Sequence, residues 1–199
     1  MKVSGDYLFD AGPEEVWQGL LDPEVLAATM PGCDELALVG ENEYRGILNI
    51  KVGPVQGKFE GKIRLEDIDP PNGYTMRVDG RGAPGFVNAT AKVEIAAEGE
   101  QTRLSYDGDA TVGGRIAGVG QRLLDSSAKA IIKQSLEGLN GTLRTRSAGD
   151  ETAEAATAPT QTEFAREVAK EVAKDLVPRP VMIAIAVAVL LLILFFVLR

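Results

Sequence analysis

From Leu36 to Val112 the chain repeats one pattern six times: apolar residues at alternate positions, with charged or polar ones between. Leu36 and Leu38 open the series. Tyr44, Leu48, Ile50 and Val52 follow, then Phe59, Ile63 and Leu65, then Tyr74, Met76 and Val78. Val87, Ala89, Ala91, Val93 and Ile95 make the fifth segment, and Leu104, Tyr106, Ala110 and Val112 the sixth. Strand side chains alternate between faces, so each segment reads as a strand with one apolar and one solvated face. Such strands build an antiparallel sheet covered on one side only. The breaks Gly40-Glu41-Asn42, Gly53-Pro54, Pro70-Pro71-Asn72-Gly73, Ala83-Pro84-Gly85 and Glu98-Gly99-Glu100 are short turns, so neighbouring strands pair as hairpins. Strands of about 9 to 13 residues make a sheet curl.

Two helical stretches and one more strand flank this series. Lys2 to Phe9 alternates as a seventh strand, with Val3, Gly5, Tyr7 and Phe9 on one face. Pro13 followed by Glu14 and Glu15 marks a helix start, and Asp22-Pro23 divides the segment into two short helices ending before Pro31-Gly32. Ile116 to about Arg144 reads as one long helix, with Leu124, Ala128, Ile132, Leu136, Leu139 and Leu143 as its apolar stripe. It is the one large element available to cover the bare sheet face. The expected fold is α+β: a curled seven-stranded antiparallel sheet gripping a long C-terminal helix.

Beyond this domain, residues 1–146, the composition changes. Residues 147–162 hold no aromatic side chain and no aliphatic one larger than alanine, and read as a disordered linker. In 163–177, Phe164, Val168, Val172 and Leu176 recur every four residues, as in an amphipathic helix beside a membrane. Residues 181–198 are uninterrupted apolar residues between Arg179 and Arg199, long enough for a single transmembrane helix. Arg166, Lys170, Lys174 and Arg179 precede the run and only Arg199 follows it, which places the N-terminal domain on the cytoplasmic side of the cell membrane.

Composition narrows the chemistry. Up to Arg146 there are 16 Lys+Arg against 22 Asp+Glu, so nucleic acid is an unsuitable partner. The chain has no histidine, which removes Ser-His-Asp and Cys-His catalysis and the commonest metal ligand. The single cysteine, Cys33, lacks such a partner and reads as a small buried thiol. Asp107 and Asp109 fall on the solvent face of their strand, and Asp67 and Asp69 at a solvated strand end, so neither pair suits acid–base work. Gly113-Gly114-Arg115-Ile116-Ala117-Gly118 lacks the Lys-Ser/Thr of a phosphate loop. The expectation is a binding protein with no catalytic residue, no metal and no covalent cofactor.

Hairpin alternation gathers the loops at two ends. One end is acidic. The other, made of apolar and glycine-rich tips, is expected to be the mouth of a pocket: Pro31, Gly32, Cys33, Gly53, Pro54, Pro84, Gly85, Phe86, Gly114, Arg115 and Ile116. Behind it, Leu48, Ile50, Phe59, Ile63, Met76, Val78, Ala89 and Ala91 on the sheet and Val119, Leu123, Leu124 and Ser127 on the helix would line an elongated apolar cavity.

Several segments then bear comparison with a known family. Pro13-Glu14-Glu15-Val16-Trp17, Leu21-Asp22-Pro23-Glu24, Met30-Pro31-Gly32-Cys33, Gly57-Lys58-Phe59-Glu60-Gly61, Gly113-Gly114-Arg115-Ile116-Ala117 and Gly120-Gln121-Arg122 resemble the CoxG family of carbon monoxide dehydrogenase subunits, within the START-like (SRPBCC) superfamily. The resemblance covers about Met1 to Arg146. It implies a helix-grip fold with a hydrophobic cavity, and a carbon monoxide dehydrogenase-type molybdenum hydroxylase as partner, usually at the membrane. It also implies a carried quinone, with menaquinone the expected ligand. The other expectation is a recruitment or assembly factor that docks the dehydrogenase at the membrane without transferring a ligand.

Overall fold

The structure is a computed structural model and describes residues 1–147. The linker beyond Ser147, the amphipathic segment 163–177 and the apolar run 181–198 lie outside the described residues. Among the described residues no helix is long and apolar enough to cross a membrane.

Seven antiparallel strands form one sheet. They are β1 (Lys2–Phe9), β2 (Cys33–Gly40), β3 (Glu43–Val52), β4 (Val55–Asp69), β5 (Gly73–Gly82), β6 (Gly85–Glu98) and β7 (Gln101–Gly113). Their order is β1-β7-β6-β5-β4-β3-β2, so β2 to β7 form a meander and β1 adds to its far side. Both edges, β1 and β2, are therefore joined in sequence by one connection. That connection is the helix pair α1 (Pro13–Leu21) and α2 (Pro23–Thr29). Pro13 opens α1, and Glu15 Oε2 accepts from the Gly12 N–H at 3.2 Å. Asp22 ends α1 and caps α2 in turn, its Oδ1 accepting from the Glu24 and Val25 N–H groups at 3.0 and 3.2 Å. Such a cap contributes about 1 kcal/mol.

The long helix is shorter at its start than the sequence suggests. A 3-10 turn covers Arg115–Val119, and α3 proper runs Gln121–Ser147. Gly120, at φ +92°, separates them in a conformation that side-chain-bearing residues resist. The turn seats Ile116 in the interior. At the other end the helix runs past its expected end near Arg144, through Thr145 and Arg146 to Ser147, the first residue of the expected linker.

The core divides in two. The larger cluster fills the acidic-loop end, where Phe9, Val16, Trp17, Tyr74, Leu104, Leu139 and Leu143 are buried together. Trp17 of α1 meets Tyr74 edge to face at 5.8 Å, and Tyr44 Oη donates to the Leu21 carbonyl at 3.0 Å. Here α1 and α2 share with α3 the cover that the sequence assigned to α3 alone. Gly19 and Gly138 allow the helices close approach: a Cβ on Gly19 would stand 2.9 Å from Leu139 Cδ1, and one on Gly138 2.9 Å from Thr29 Cβ. The smaller cluster, Val52, Phe59 and Ile116, closes the glycine-loop end, with Val119, Leu123 and Leu124 packed on it.

Candidate ligand-binding site

Between the two clusters the inner face of the sheet loses its side chains. Register sets Gly46, Gly61 and Gly80 in one row across β3, β4 and β5, continued by Val87 and Val112. The next row toward the acidic end runs Tyr44, Ile63, Val78, Ala89 and Ala110, and the one after it Leu65, Met76, Ala91 and Gly108. Glycines and alanines thus pave the centre of the sheet, ringed by larger residues.

That paving is open at Gly61 and Gly80, whereas a Cβ on Gly46 would meet Leu36 Cδ1 at 3.0 Å. A Cβ added to Gly61 would find only the Asp79 carbonyl oxygen, at 4.0 Å, and one on Gly80 only the Val87 carbonyl oxygen, at 3.6 Å. Both are atoms of the sheet itself, so no helix atom reaches these positions. The interhelical glycines, by contrast, are in tight contact. Leu48, Val78, Ala89 and Ala91 belong to neither cluster and remain partly accessible although they face inward. The long helix comes closest to the strands β1 and β3 and bridges the middle of the sheet. The result is a trough, floored by backbone and roofed by α3.

Contacts fix which helix face forms the roof. Ile132 and Leu136 border a cleft against β1, and Gly138 meets Thr29 of α2. The stripe between them is Leu124, Ala128, Ile131 and Ser135, spaced by three or four residues. Ser127 falls instead on the neighbouring stripe with Leu123, Ala130 and Gln134. Ser127 Oγ and Gln134 Oε1 are buried there without a hydrogen-bond partner among the described residues.

Ser127 apart, the residues expected to line a pocket separate into three groups. Leu48, Val78, Ala89 and Ala91 border the trough. Ile50 and Phe59, with Val119, Leu123 and Leu124, belong to the small cluster at its glycine-loop end. Ile63 and Met76 pack on the large cluster. The sequence pattern omits Gly46, Gly61, Gly80 and Gly108, although each has the inward parity of its strand, and it sets Ala110 on the apolar face without placing it in the lining.

The expected mouth is more closed than its composition suggests. Pro31, Pro84 and Ile116 are buried, with the Ile116 N–H bonded to the Pro84 carbonyl at 3.0 Å. Pro84 lies so close to Gly57 that a Cβ there would be 2.5 Å from its Cγ. Phe86, 40 % exposed, has the opposite parity to Val87 and stands on the outer face over Gly113. Gly53, Pro54, Gly114 and Arg115 are exposed at the tips, while Gly32, Cys33 and Gly85 are partly buried. A Cβ on Gly32 would meet the Asn49 carbonyl oxygen at 2.3 Å, so that loop lies flat on β3.

Electrostatics divide the sheet cleanly. No charged side chain stands on the inner face of β3 to β7. The outer face is a lattice of ion pairs, among them Arg64–Glu43, Arg77–Glu66 at 2.6 Å and Arg103–Glu98 at 2.6 Å. It carries a half-open basin of about 730 Å³ bordered by Glu43, Arg45, Lys62, Arg64, Arg77 and Asp79. Burial pushes the Cys33 thiol pKa up, so it stays protonated near neutrality, with Sγ 3.5 Å from the Glu35 carbonyl. Asp107 and Asp109 are exposed, as expected. Among the described residues no group of three acidic or cysteine side chains could hold a metal ion.

A curled antiparallel sheet closed on a C-terminal helix, with an uncharged trough between them, defines the START-like class of α+β proteins. A START superfamily protein from Mycobacterium smegmatis shares this fold at TM-score 0.57 and 14% identity, over 73% of this chain and 98% of that one. A protein from Thermus thermophilus does so at TM-score 0.58 and 17% identity, over 74% and 99%. A conserved protein from Geobacillus kaustophilus is nearer in sequence, at 36% identity and TM-score 0.70 over 73% of this chain and 96% of its own. The chain belongs to the CoxG family of carbon monoxide dehydrogenase subunits, whose model matches residues 5–144. No curated protein sequence matches it.

Proposed function

We propose that this protein is a membrane-tethered carrier. It takes a lipophilic molecule, a quinone of the menaquinone type, into the trough beneath α3. It passes that molecule between the cell membrane and a carbon monoxide dehydrogenase-type molybdenum hydroxylase. The observation that supports this most directly is the open space above Gly61 and Gly80. An isoprenoid chain there would gain about 0.8 kcal/mol for each CH₂ removed from water. The bilayer offers the same gain, so loading and unloading are readily reversible. The uncharged inner face suits a neutral apolar chain, and the run 181–198 would hold the domain on the cytoplasmic face. Family and fold are typical of binding proteins, and the redox chemistry belongs to the partner.

Native mass spectrometry of the full chain after incubation with menaquinone-containing vesicles tests this reading. One quinone per chain is expected. Recovery of only the bare protein would end it. The basin on the outer sheet face favours a second reading, in which the protein recruits or assembles the dehydrogenase without carrying anything. A Gly80→Val variant separates the two: on the recruitment reading, dehydrogenase capture and electron transfer to quinone both survive a filled trough.

A further inference from the structure

With Ile116 and Pro84 sealing the glycine-loop end, a ligand needs another approach to the trough. The flank between β1 and α3 offers one. A cleft of about 200 Å³ lies there, with Tyr7, Tyr106, Ile132 and Leu136 as its apolar walls and Lys129 at its rim. β1 is an edge strand, so the side of the sheet facing this opening is unpaired.

Tyr106, which packs on the flank of the large cluster with Tyr7, Ile132 and Leu136, is the cleft residue nearest the trough floor along its strand. It stands on the inner face of β7, and the next inward position on that strand is Gly108, part of the trough floor. Its phenol lies across β1 only because position 5 is glycine: a Cβ on Gly5 would come within 2.5 Å of Tyr106 Oη. Tyr106 Oη has no hydrogen-bond partner among the described residues, and Lys129 has neither an ion pair nor a hydrogen bond there. The carboxylate in the cleft, Asp6, is held by Arg103 at 2.8 Å, and Lys133 faces Glu137 at 3.8 Å. Burial raises the Tyr106 pKa, so the phenol keeps its proton near neutrality. Two unused donors therefore sit beside an apolar slot.

We propose that the β1–α3 cleft is the entrance to the trough and its head-group site. Tyr106 O–H and the Lys129 ammonium hydrogen-bond an acceptor oxygen, such as a quinone carbonyl, while the apolar chain lies along the glycine floor. This rests on the reading of the trough as a lipophilic site. It makes the ligand an amphiphile whose polar end stays at the flank and not at the glycine loops.

The test uses the full chain in detergent micelles and two probes. One is a naphthoquinone bearing a two-isoprene chain; the other is farnesene, a hydrocarbon of similar bulk with no acceptor. Tyr106→Phe and Lys129→Met are each expected to weaken quinone binding about 3- to 10-fold, the worth of one hydrogen bond, and to leave farnesene binding unchanged. Lys129 is a surface residue, so its variant carries the test should Tyr106→Phe fold poorly. Unchanged quinone affinity in both variants overturns the head-group assignment. So does an equal loss for both probes, which would make the cleft a merely apolar wall. If the wild-type chain binds neither probe, the lipophilic reading of the trough itself is wrong.

Discussion

Two kinds of glycine carry the architecture, and substitutions at them should behave in opposite ways. Gly19 is a contact glycine in α1, and any larger residue there must push Leu139 aside. Gly19→Val is expected to destabilise the fold by about 1–3 kcal/mol, the usual penalty of overpacking, with little effect on ligand affinity. Gly80 is a space-making glycine in the middle of a strand. Gly80→Val adds β-propensity and buries apolar surface, so the thermal midpoint should hold or rise while quinone binding is lost. Thermal denaturation with and without ligand reads both outcomes. If Gly80→Val bound quinone normally, the trough would not be the site. Asp10 supplies a pH-dependent test of a different contact. Hydrogen bonds from Asn140 at 3.1 Å and from Gln101 at 2.8 Å hold its carboxyl below the usual carboxylate range. Its contribution is complete above the unfolded value, about 3.9, and is lost as pH falls through the depressed folded value. The stability gap between wild type and Asp10→Ala should therefore stay constant from pH 7 to about 5 and narrow below about 4. A gap that widened in acid would contradict the assignment.

At the scale of elements, α3 does different work along its length. Its last turns lock into α1 and the large cluster, where Leu139 is only 1 % exposed. Leu139→Ala should cost about 2–5 kcal/mol by urea denaturation. Ile131→Ala, on the helix face over the trough and outside both clusters, should cost clearly less. Equal losses at the two positions would mean that α3 is packed uniformly and the trough is filled. The strands, their turns and the sorting of loops to two ends were all legible in the sequence, because hairpins are local and period two is unambiguous. The trough floor was not. Glycine carries no hydropathy signal, so Gly46, Gly61 and Gly80 vanish from an alternation written in apolar residues, and only register lines them up. Nor could the reach of Tyr106 across Gly5 be read, since it depends on pairing the first strand with the last, Gly5 opposite Tyr106. The break at Gly120 was misread because a glycine within an apolar segment does not announce its φ. Proline and isoleucine at the glycine tips looked like exposed apolar surface for a similar reason. Burial of Pro84 and Ile116 is a tertiary fact.

For the whole molecule, residues 1–147 hold both apolar clusters and the trough between them, so binding and anchoring should come apart. Deleting residues 178–199 is expected to move the protein from membrane to soluble fractions on ultracentrifugation and leave quinone affinity unchanged. Loss of binding on this deletion would show that the tail completes the site. The floor of the trough also sets how such a site can change through descent. Glycine is the smallest residue the code offers, so no replacement at positions 46, 61 or 80 can deepen the cavity. Variation there runs one way, toward a shallower site and a shorter occupant. Lineages that come to handle a bulkier molecule must gain room by tilting α3 or trimming the surrounding side chains, never by altering the floor.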